Sequence, residues 1–340
     1  MAQSLNPDRF FQAPGPILDV RSPGEYAQGH IPGAIAFPLF TDEERAKVGI
    51  CYKHEGRDRA VELGFAIAGP KFSHFIAAAG ELAPDRQIRM YCWRGGMRSG
   101  GVSWVLEMGG WRVSLLAGGY KAFRGWGRSQ FQTPKKIVIL GGMTGTGKTD
   151  ILHALAARGE QVLDLEGLAR HRGSSYGSLG QPPQPTNEQF WNQIAIAWAG
   201  FDPERRVWIE AESKRIGLCR IPEELYRQMD QAPVIEIGRP RHERLKLLVE
   251  AYGDAEIEKL IGATERIRKR LGGTRTREAI AFLEQGKLAE AFDLILYYYD
   301  KTYAYDLERR QVPLHGVDGA GCSPDEAATR LLQKARAIFG

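Results

Sequence analysis

The stretch KKIVILGGMTGTGKTDILHALAARG, residues 135–159, constrains the fold of this 340-residue chain more than any other. An apolar run of strand length leads into G-x-x-x-x-G-K-[ST] over Gly142–Thr149, and a helix-like pattern closed by Gly159 follows. In that strand–loop–helix context the glycines let backbone N–H groups turn inward around a phosphate. Lys148 adds positive charge, the helix N-terminus adds its dipole, and Thr149 can hold Mg²⁺. The candidate ligand-binding residues are therefore Gly142, Thr144, Gly145, Thr146, Gly147, Lys148 and Thr149. Such a unit belongs in a parallel sheet, and QVLDLE (161–166), RRVWIEAES (205–213) and APVIEIGR (232–239) read as its neighbouring strands. Glu210 and Glu212 fall at the end of one of them, placed for Mg²⁺ or a bridging water, with Ser213 beside them where α/β ligands bind. The motif implies binding of a di- or triphosphate group. Hydrolysis of ATP does not follow from it.

Two further features belong to this half. HRGSSYGSLGQPPQPT (171–186) has the Gly, Ser and Pro content of a long loop. With Arg170, His171, Arg172 and Ser174 it can close over the phosphate ligand or simply stand in solvent. From about 240 to 310 the pattern is helical and charged, and TERIRKRLGGTRTR (264–277) concentrates Arg266, Arg268, Lys269, Arg270, Arg275 and Arg277. Such a block can neutralise nucleic-acid phosphates, or it is a solvated helix face. Tyr297, Tyr298, Tyr299, Tyr303 and Tyr305 can stack bases or pack against neighbours.

The first 130 residues show a second alternation, with strand-like runs PILDVR (16–21), AIAFPLF (34–40), QIRMYC (87–92) and VSLLAGG (113–119). This too predicts a parallel α/β sheet. RGWGRSQFQTPKK (124–136) reads as a linker and divides the chain into 1–128 and 129–340. No apolar run approaches the roughly 18–20 residues of a membrane span, and the N-terminus lacks a signal-peptide layout. The expectation is a cytoplasmic protein with no membrane partner. A net charge of +5 permits a nucleic-acid partner without requiring one.

The four cysteines are widely spaced and form no C-x-x-C pair, which argues against a disulfide framework or a cysteine zinc site. Any important cysteine acts alone. Cys92 has the surroundings for that: YCWRGGMRSG (91–100) ends a strand and adds Arg94, Gly95, Gly96 and Arg98 before the helix pattern SGGVSWVLEMGG (99–110). Inward N–H groups and nearby arginines lower a thiol's free pKa of about 8.5 and hold an anionic substrate. Cys92 is the candidate nucleophile, with Arg94 and Arg98 as its cationic neighbours. Cys51, Cys219 and Cys322 lack such surroundings.

LDVRSPGEYAQGHIPGAIAFPL (18–39), the cysteine loop and LLAGGYKAFRGW (115–126) together resemble a rhodanese domain over its whole length. The resemblance implies that Cys92 carries a persulfide-type sulfur or its selenium analogue. It also implies that Asp19, Arg21, Glu25, His30 and Gly33 brace the fold. One departure matters: five residues separate Cys92 from Arg98, where most rhodaneses have four. That spacing is shared with cysteine-dependent phosphatases, so a phosphatase or arsenate reductase stays open from the loop alone.

The whole chain resembles the tRNA 2-selenouridine synthase family. The likeness is carried by FPLFTDEERAKVGICYKHEGRDRAVELG (37–64), the cysteine loop, GGMTGTGKT, DLEGLARHRGSSYGSLG (164–180) and VWIEAESKRIG (207–217). It implies a rhodanese-like parallel-sheet domain followed by a P-loop NTPase-like α/β domain with a helical C-terminal part. It further implies a tRNA partner with 2-thiouridine at the wobble position, S-geranylated from geranyl diphosphate and then converted to 2-selenouridine with selenophosphate. On this reading selenophosphate belongs to the Cys92 loop, with selenium held on Cys92 as a selenylsulfide. Geranyl diphosphate belongs to Gly142–Thr149, and Arg266, Arg268, Lys269 and Arg270 meet the tRNA. Two rivals remain: a rhodanese-fold phosphatase or sulfurtransferase with a regulatory NTPase domain, and a nucleotide-dependent kinase with a non-catalytic rhodanese module.

Overall fold

Apolar runs without alternation suit strands buried on both faces, and parallel sheets sandwiched between helices provide that setting. The computed structural model, which describes residues 2–339, contains two such sheets. They lie in separate units, Met1–Gln130 and Phe131–Gly340.

In the first unit the strands are β1 (Gln3–Leu5), β2 (Ile17–Asp19), β3 (Ala34–Ala36), β4 (Gln87–Tyr91) and β5 (Arg112–Leu116). Their order is β1-β5-β4-β2-β3, parallel throughout, with β4 at the centre. Leu18, Ile88, Met90, Val102, Leu106 and Phe75 share one core. The stretch read as a linker is helical as far as Gln130, because the helix Gly119–Gln130 buries Tyr120, Phe123 and Gly127. Its Trp126 also stacks on Phe123 with centroids 5.9 Å apart. The unit boundary accordingly falls after residue 130.

In the second unit the strands are β6 (Lys136–Gly141), β7 (Gln161–Leu163), β8 (Arg206–Glu210), β9 (Arg215–Ile216), β10 (Cys219–Arg220), β11 (Val234–Gly238) and β12 (Leu314–Asp318). The order β12-β11-β6-β8-β7 is again parallel and again central on one strand, β6, while β9 and β10 form a small antiparallel ribbon. Ile137 and Ile139 share a core with Phe190, Ile194 and Trp198. Val138 and Leu140 share another with Ile151, Leu155 and Leu331. This is the period of two that places alternate side chains of one strand in opposite layers. Trp198 and Trp208 are fully buried, and burial of a large apolar side chain contributes on the order of 2 kcal/mol.

The stretch from about 240 to 310 is helical, as its pattern predicts, and a strand and a further helix follow it. Helices between Arg241 and Arg309 form their own core around Leu260, Leu283, Phe292 and Leu296, but the chain then returns to the sheet. Strand β12 pairs with β11, and the helix Pro324–Phe339 buries Ala327, Ala328, Leu331 and Ala335. An edge strand such as LHGVD is not buried on both faces and lacks the continuous apolar run that marks β6. Among the described residues, no helix is long and apolar enough to cross a membrane.

Candidate active site: a cysteine loop and a phosphate-binding loop

Both loops leave the C-terminal end of the central strand of their sheet, where neighbouring connections diverge and leave a crevice. The Cys92 loop follows β4 and the Gly142–Thr149 loop follows β6.

Cys92 is 3% exposed. Its loop is shaped from below by the segment Gly118–Lys121. The Tyr120 amide donates to the Cys92 carbonyl at 2.8 Å and the Lys121 amide to the Trp93 carbonyl at 3.0 Å. Gly119 sits at φ +61°, and a Cβ there would stand 2.5 Å from the Gly95 nitrogen and 2.8 Å from the Arg94 nitrogen. Only glycine allows this close approach. The helix Met97–Met108 then starts, and the fully buried Ser99 hydroxyl lies 3.2 Å from the Cys92 sulfur. Burial opposes ionisation of Cys92, but the Ser99 hydroxyl and amide, the Arg98 charge and the Gly96 backbone outweigh it and bring the thiol below its ordinary pKa. Cys219 shows the contrast: burial alone pushes its thiol up to about 11.

The two arginines take different positions. Arg98 is half-buried and grips Glu25 through both terminal nitrogens, at 2.6 and 3.3 Å. Glu25 also closes the capping box of the helix Pro23–Gln28. Burial raises its carboxyl, but Arg98 and the Ser22 amide prevail and hold it below the usual range. Arg94 is exposed and, among the described residues, has no ion-pair partner. The remaining residues of the N-terminal motif form a brace. Buried Arg21 donates to Asp19 and, at 2.6 Å, to the Gly29 carbonyl, and its guanidinium lies 3.8 Å from the centre of the Tyr120 ring. The Tyr91 hydroxyl donates to Asp19 at 2.6 Å. His30 stacks on Tyr26 at 3.9 Å, and Gly33 turns the chain at φ +80°. Glu25 thus does more than brace, and Ser99 escaped the sequence reading altogether.

In the second unit Gly145 and Gly147 take φ +84° and +77°, as a phosphate-cradling turn requires. The Lys148 ammonium donates to the Gly142 carbonyl at 2.7 Å, and the Thr146 hydroxyl donates to the Met143 carbonyl at 2.8 Å. The outside of the loop is held by Arg244, 3% exposed, whose Nε donates to the Thr144 carbonyl at 2.9 Å while its terminal nitrogens pair with Asp300. A Cβ on Gly145 would meet the Arg244 carbonyl at 2.8 Å.

The inner side is acidic. The Thr149 hydroxyl donates to Glu166 at 3.0 Å, and the Glu166 amide donates to Glu210 at 2.7 Å. Burial, then Asp164 and Glu166, push the Glu210 carboxyl up to about 8, and its second oxygen is buried without a hydrogen-bond partner. Burial, then Glu166 and Glu210, raise Glu212 well above the usual range, and Lys148 offsets part of the effect. Glu166 is the residue that the sequence reading missed here; its signal is the position just past β7, beside the end of β8. Ser213 is exposed, and its hydroxyl donates back to the Arg215 carbonyl at 2.8 Å. Among the described residues, no group of three or more His, Cys, Asp or Glu side chains is arranged to hold a metal ion.

The long loop 171–186 is packed rather than solvated. Tyr176 is 2% exposed within the helical core, and its hydroxyl meets Thr264 at 2.7 Å. The Ser175 amide donates to the Tyr299 hydroxyl at 3.0 Å, and Arg172 donates to the Ala251 carbonyl at 2.9 Å. Gly173 lies over the carboxylates, where a Cβ would be 2.5 Å from Glu212 and 2.6 Å from Glu166. The basic block divides. Arg266 donates to the Ser175 carbonyl at 2.7 Å and Arg270 to the Tyr298 hydroxyl at 3.0 Å, while Arg268, 3.6 Å from Glu265, and Lys269 lie exposed. The tyrosines divide too: Tyr299 anchors the loop, whereas Tyr297 and Tyr305 are exposed.

Comparison with known proteins joins the two halves. Residues 7–125 match the family model of the rhodanese-like domain, and residues 135–320 match that of the tRNA 2-selenouridine synthase AAA domain. The tRNA 2-selenouridine synthase of Bordetella petrii is 36% identical over 353 residues, covering 91% of both chains. That of Pseudomonas fluorescens is 36% identical over 336 residues, covering 87% of this chain and 89% of the relative. That of Sulfurovum sp. is 34% identical over 332 residues, covering 86% and 89%.

Proposed function

The chain belongs to the tRNA 2-selenouridine synthase family, and from that membership we propose that it converts wobble 2-thiouridine of tRNA to 2-selenouridine through an S-geranyl intermediate. The observation that carries this reading is Cys92: a buried thiol held below its ordinary pKa by a loop of anion-binding form. Selenophosphate is the ligand of that loop, drawn by the unpaired charge of Arg94, with Arg98 kept in place by Glu25. Geranyl diphosphate is the ligand of Gly142–Thr149. Its departing diphosphate gains negative charge as the geranyl group leaves, and Lys148 and the helix N-terminus stabilise that charge. Exposed Arg268 and Lys269 are members of the basic block placed to meet tRNA phosphates, with Arg270 beside them and Arg266 committed to the loop.

Mg²⁺ fits the acidic side of the phosphate loop. The Thr149 hydroxyl would be a direct oxygen ligand, with Glu166, which accepts from it, beside the ion. This protein set is small, as suits an ion that takes the rest of its shell from phosphate and water. When bound, the ion would supply positive charge to the diphosphate.

The test is mass spectrometry of 2-thiouridine tRNA incubated first with geranyl diphosphate and then with selenophosphate. Cys92→Ala is expected to stop selenation and leave geranylation intact, whereas Lys148→Ala impairs geranylation first. Loss of geranylation with retained selenation in Cys92→Ala would falsify the assignment.

A further inference from the structure

Ser99 is the seventh residue after Cys92 and lies in the first turn of the helix Met97–Met108, with no exposed surface. Its hydroxyl has one proton and two acceptors in equal reach: the Cys92 sulfur at 3.2 Å and the Gly96 carbonyl at 3.2 Å. The sulfur itself stands 4.0 Å from that same carbonyl. Three polar atoms therefore close a triangle.

The number of protons in the triangle changes with the state of the sulfur. A thiol brings its own proton, which turns to the Gly96 carbonyl. A thiolate brings none, and a hydrogen bond to an ionised acceptor is roughly twice as strong as one to a neutral acceptor. We propose that Ser99 is a positioning residue for Cys92, turning its hydroxyl proton onto the sulfur when the sulfur is anionic. It returns the proton to the Gly96 carbonyl when the sulfur is protonated or covalently occupied. The change needs only rotation about the Cβ–Oγ bond, so the loop responds to the sulfur's charge without moving its backbone. The Ser99 amide also faces the sulfur, as does the Arg98 charge. Arg98 is already paired with Glu25 of the helix Pro23–Gln28, which leaves the hydroxyl as the group whose interaction switches.

This inference rests on Cys92 being the nucleophile, but its test requires neither tRNA nor selenium. The full chain is treated with iodoacetamide across a pH series, and the mass of the Cys92 peptide reports alkylation. Ser99→Ala is expected to raise the midpoint of the pH profile by about one unit, slowing alkylation at neutral pH about tenfold. The rate on the high-pH plateau stays within about threefold, since the fully ionised fraction is then the same. Ser99→Thr keeps the hydroxyl and holds the parent midpoint. Ser99→Val, matched to threonine in shape, shifts as Ser99→Ala does, so the Thr/Val pair carries the test if the alanine variant does not fold. A parent-like midpoint in Ser99→Val, or a threonine midpoint that moves with valine, overturns the proposal. Retained selenation in Cys92→Ala would instead overturn the nucleophile assignment and leave the alkylation result standing.

Discussion

At the end of β4 a buried thiol sits beside a cation that is already neutralised, and an unpaired arginine lies in the same loop. At the end of β6 a lysine faces three glutamates, two of them with raised pKa values. The plan of the two loops is the same: central strand, glycine turn, helix N-terminus. Their charge balance is opposite. The first loop offers an incoming anion a net positive, partly formed seat. The second offers a seat whose backbone is ready but whose lysine stands beside carboxyl groups so buried and crowded that two of them hold their protons more tightly than free carboxyls do. Shared topology therefore fixes where each loop lies in its sheet, while the side chains from adjoining elements set its charge.

The largest expected effect breaks this comparison directly. Calorimetric titration with geranyl diphosphate is expected to show roughly 100-fold weaker binding in EDTA than in Mg²⁺, because the ion's positive charge at the diphosphate is then missing. Alkylation of Cys92 stays the same in both buffers. Equal affinity with and without the ion would remove the distinction between the loops.

A smaller effect concerns stability. The folded value of Glu210, about 8, lies above that of an unfolded carboxyl, so between the two the folded state binds the proton more tightly. Stability of the second unit therefore falls as pH rises from about 5 to about 8. Glu210→Gln should flatten that slope in urea melts taken across the same range. An unchanged slope would mean that Glu210 ionises as freely in the fold as outside it.

The smallest effects lie on the exposed basic residues. Arg268→Ala and Lys269→Ala should each weaken tRNA binding a few-fold and reduce the salt slope of log K by about one. Arg266→Ala should instead loosen loop 171–186, read out as faster proteolysis there, since its guanidinium holds the Ser175 carbonyl. If all three variants changed the salt slope alike, the division of the block would be wrong.

The legible parts of the molecule are those whose chemistry is local in the chain. GMTGTGKT and CWRGGMR carry their own turns, charges and nucleophile, and the continuous apolar runs before them mark the central strands. Residues that reach a loop from elsewhere were not legible. Glu25 meets Arg98 across a separation of 73 residues, and no local pattern announces the pairing. Glu166 is significant only because β7 pairs with β8, which brings it beside Glu210. Ser99 looked like an ordinary first-turn helix residue, because a hydroxyl's partner depends on the curvature of the preceding loop. Composition leaves the long Gly- and Ser-rich segment either closing over the phosphate ligand or standing in solvent, whereas Tyr176 and Leu179 pack it into the helical core.

The Arg244–Asp300 pair carries a consequence for how portable the phosphate loop is. Arg244 follows Thr144 by 100 residues and grips its carbonyl, while Asp300 on the helix Leu288–Arg309 pairs with the Arg244 guanidinium. A fragment ending before that helix would retain every letter of the motif and leave Arg244 buried without its counter-charge. The motif is thus a signature that can be copied in eight residues. The shape it stands for belongs to a much longer piece of chain.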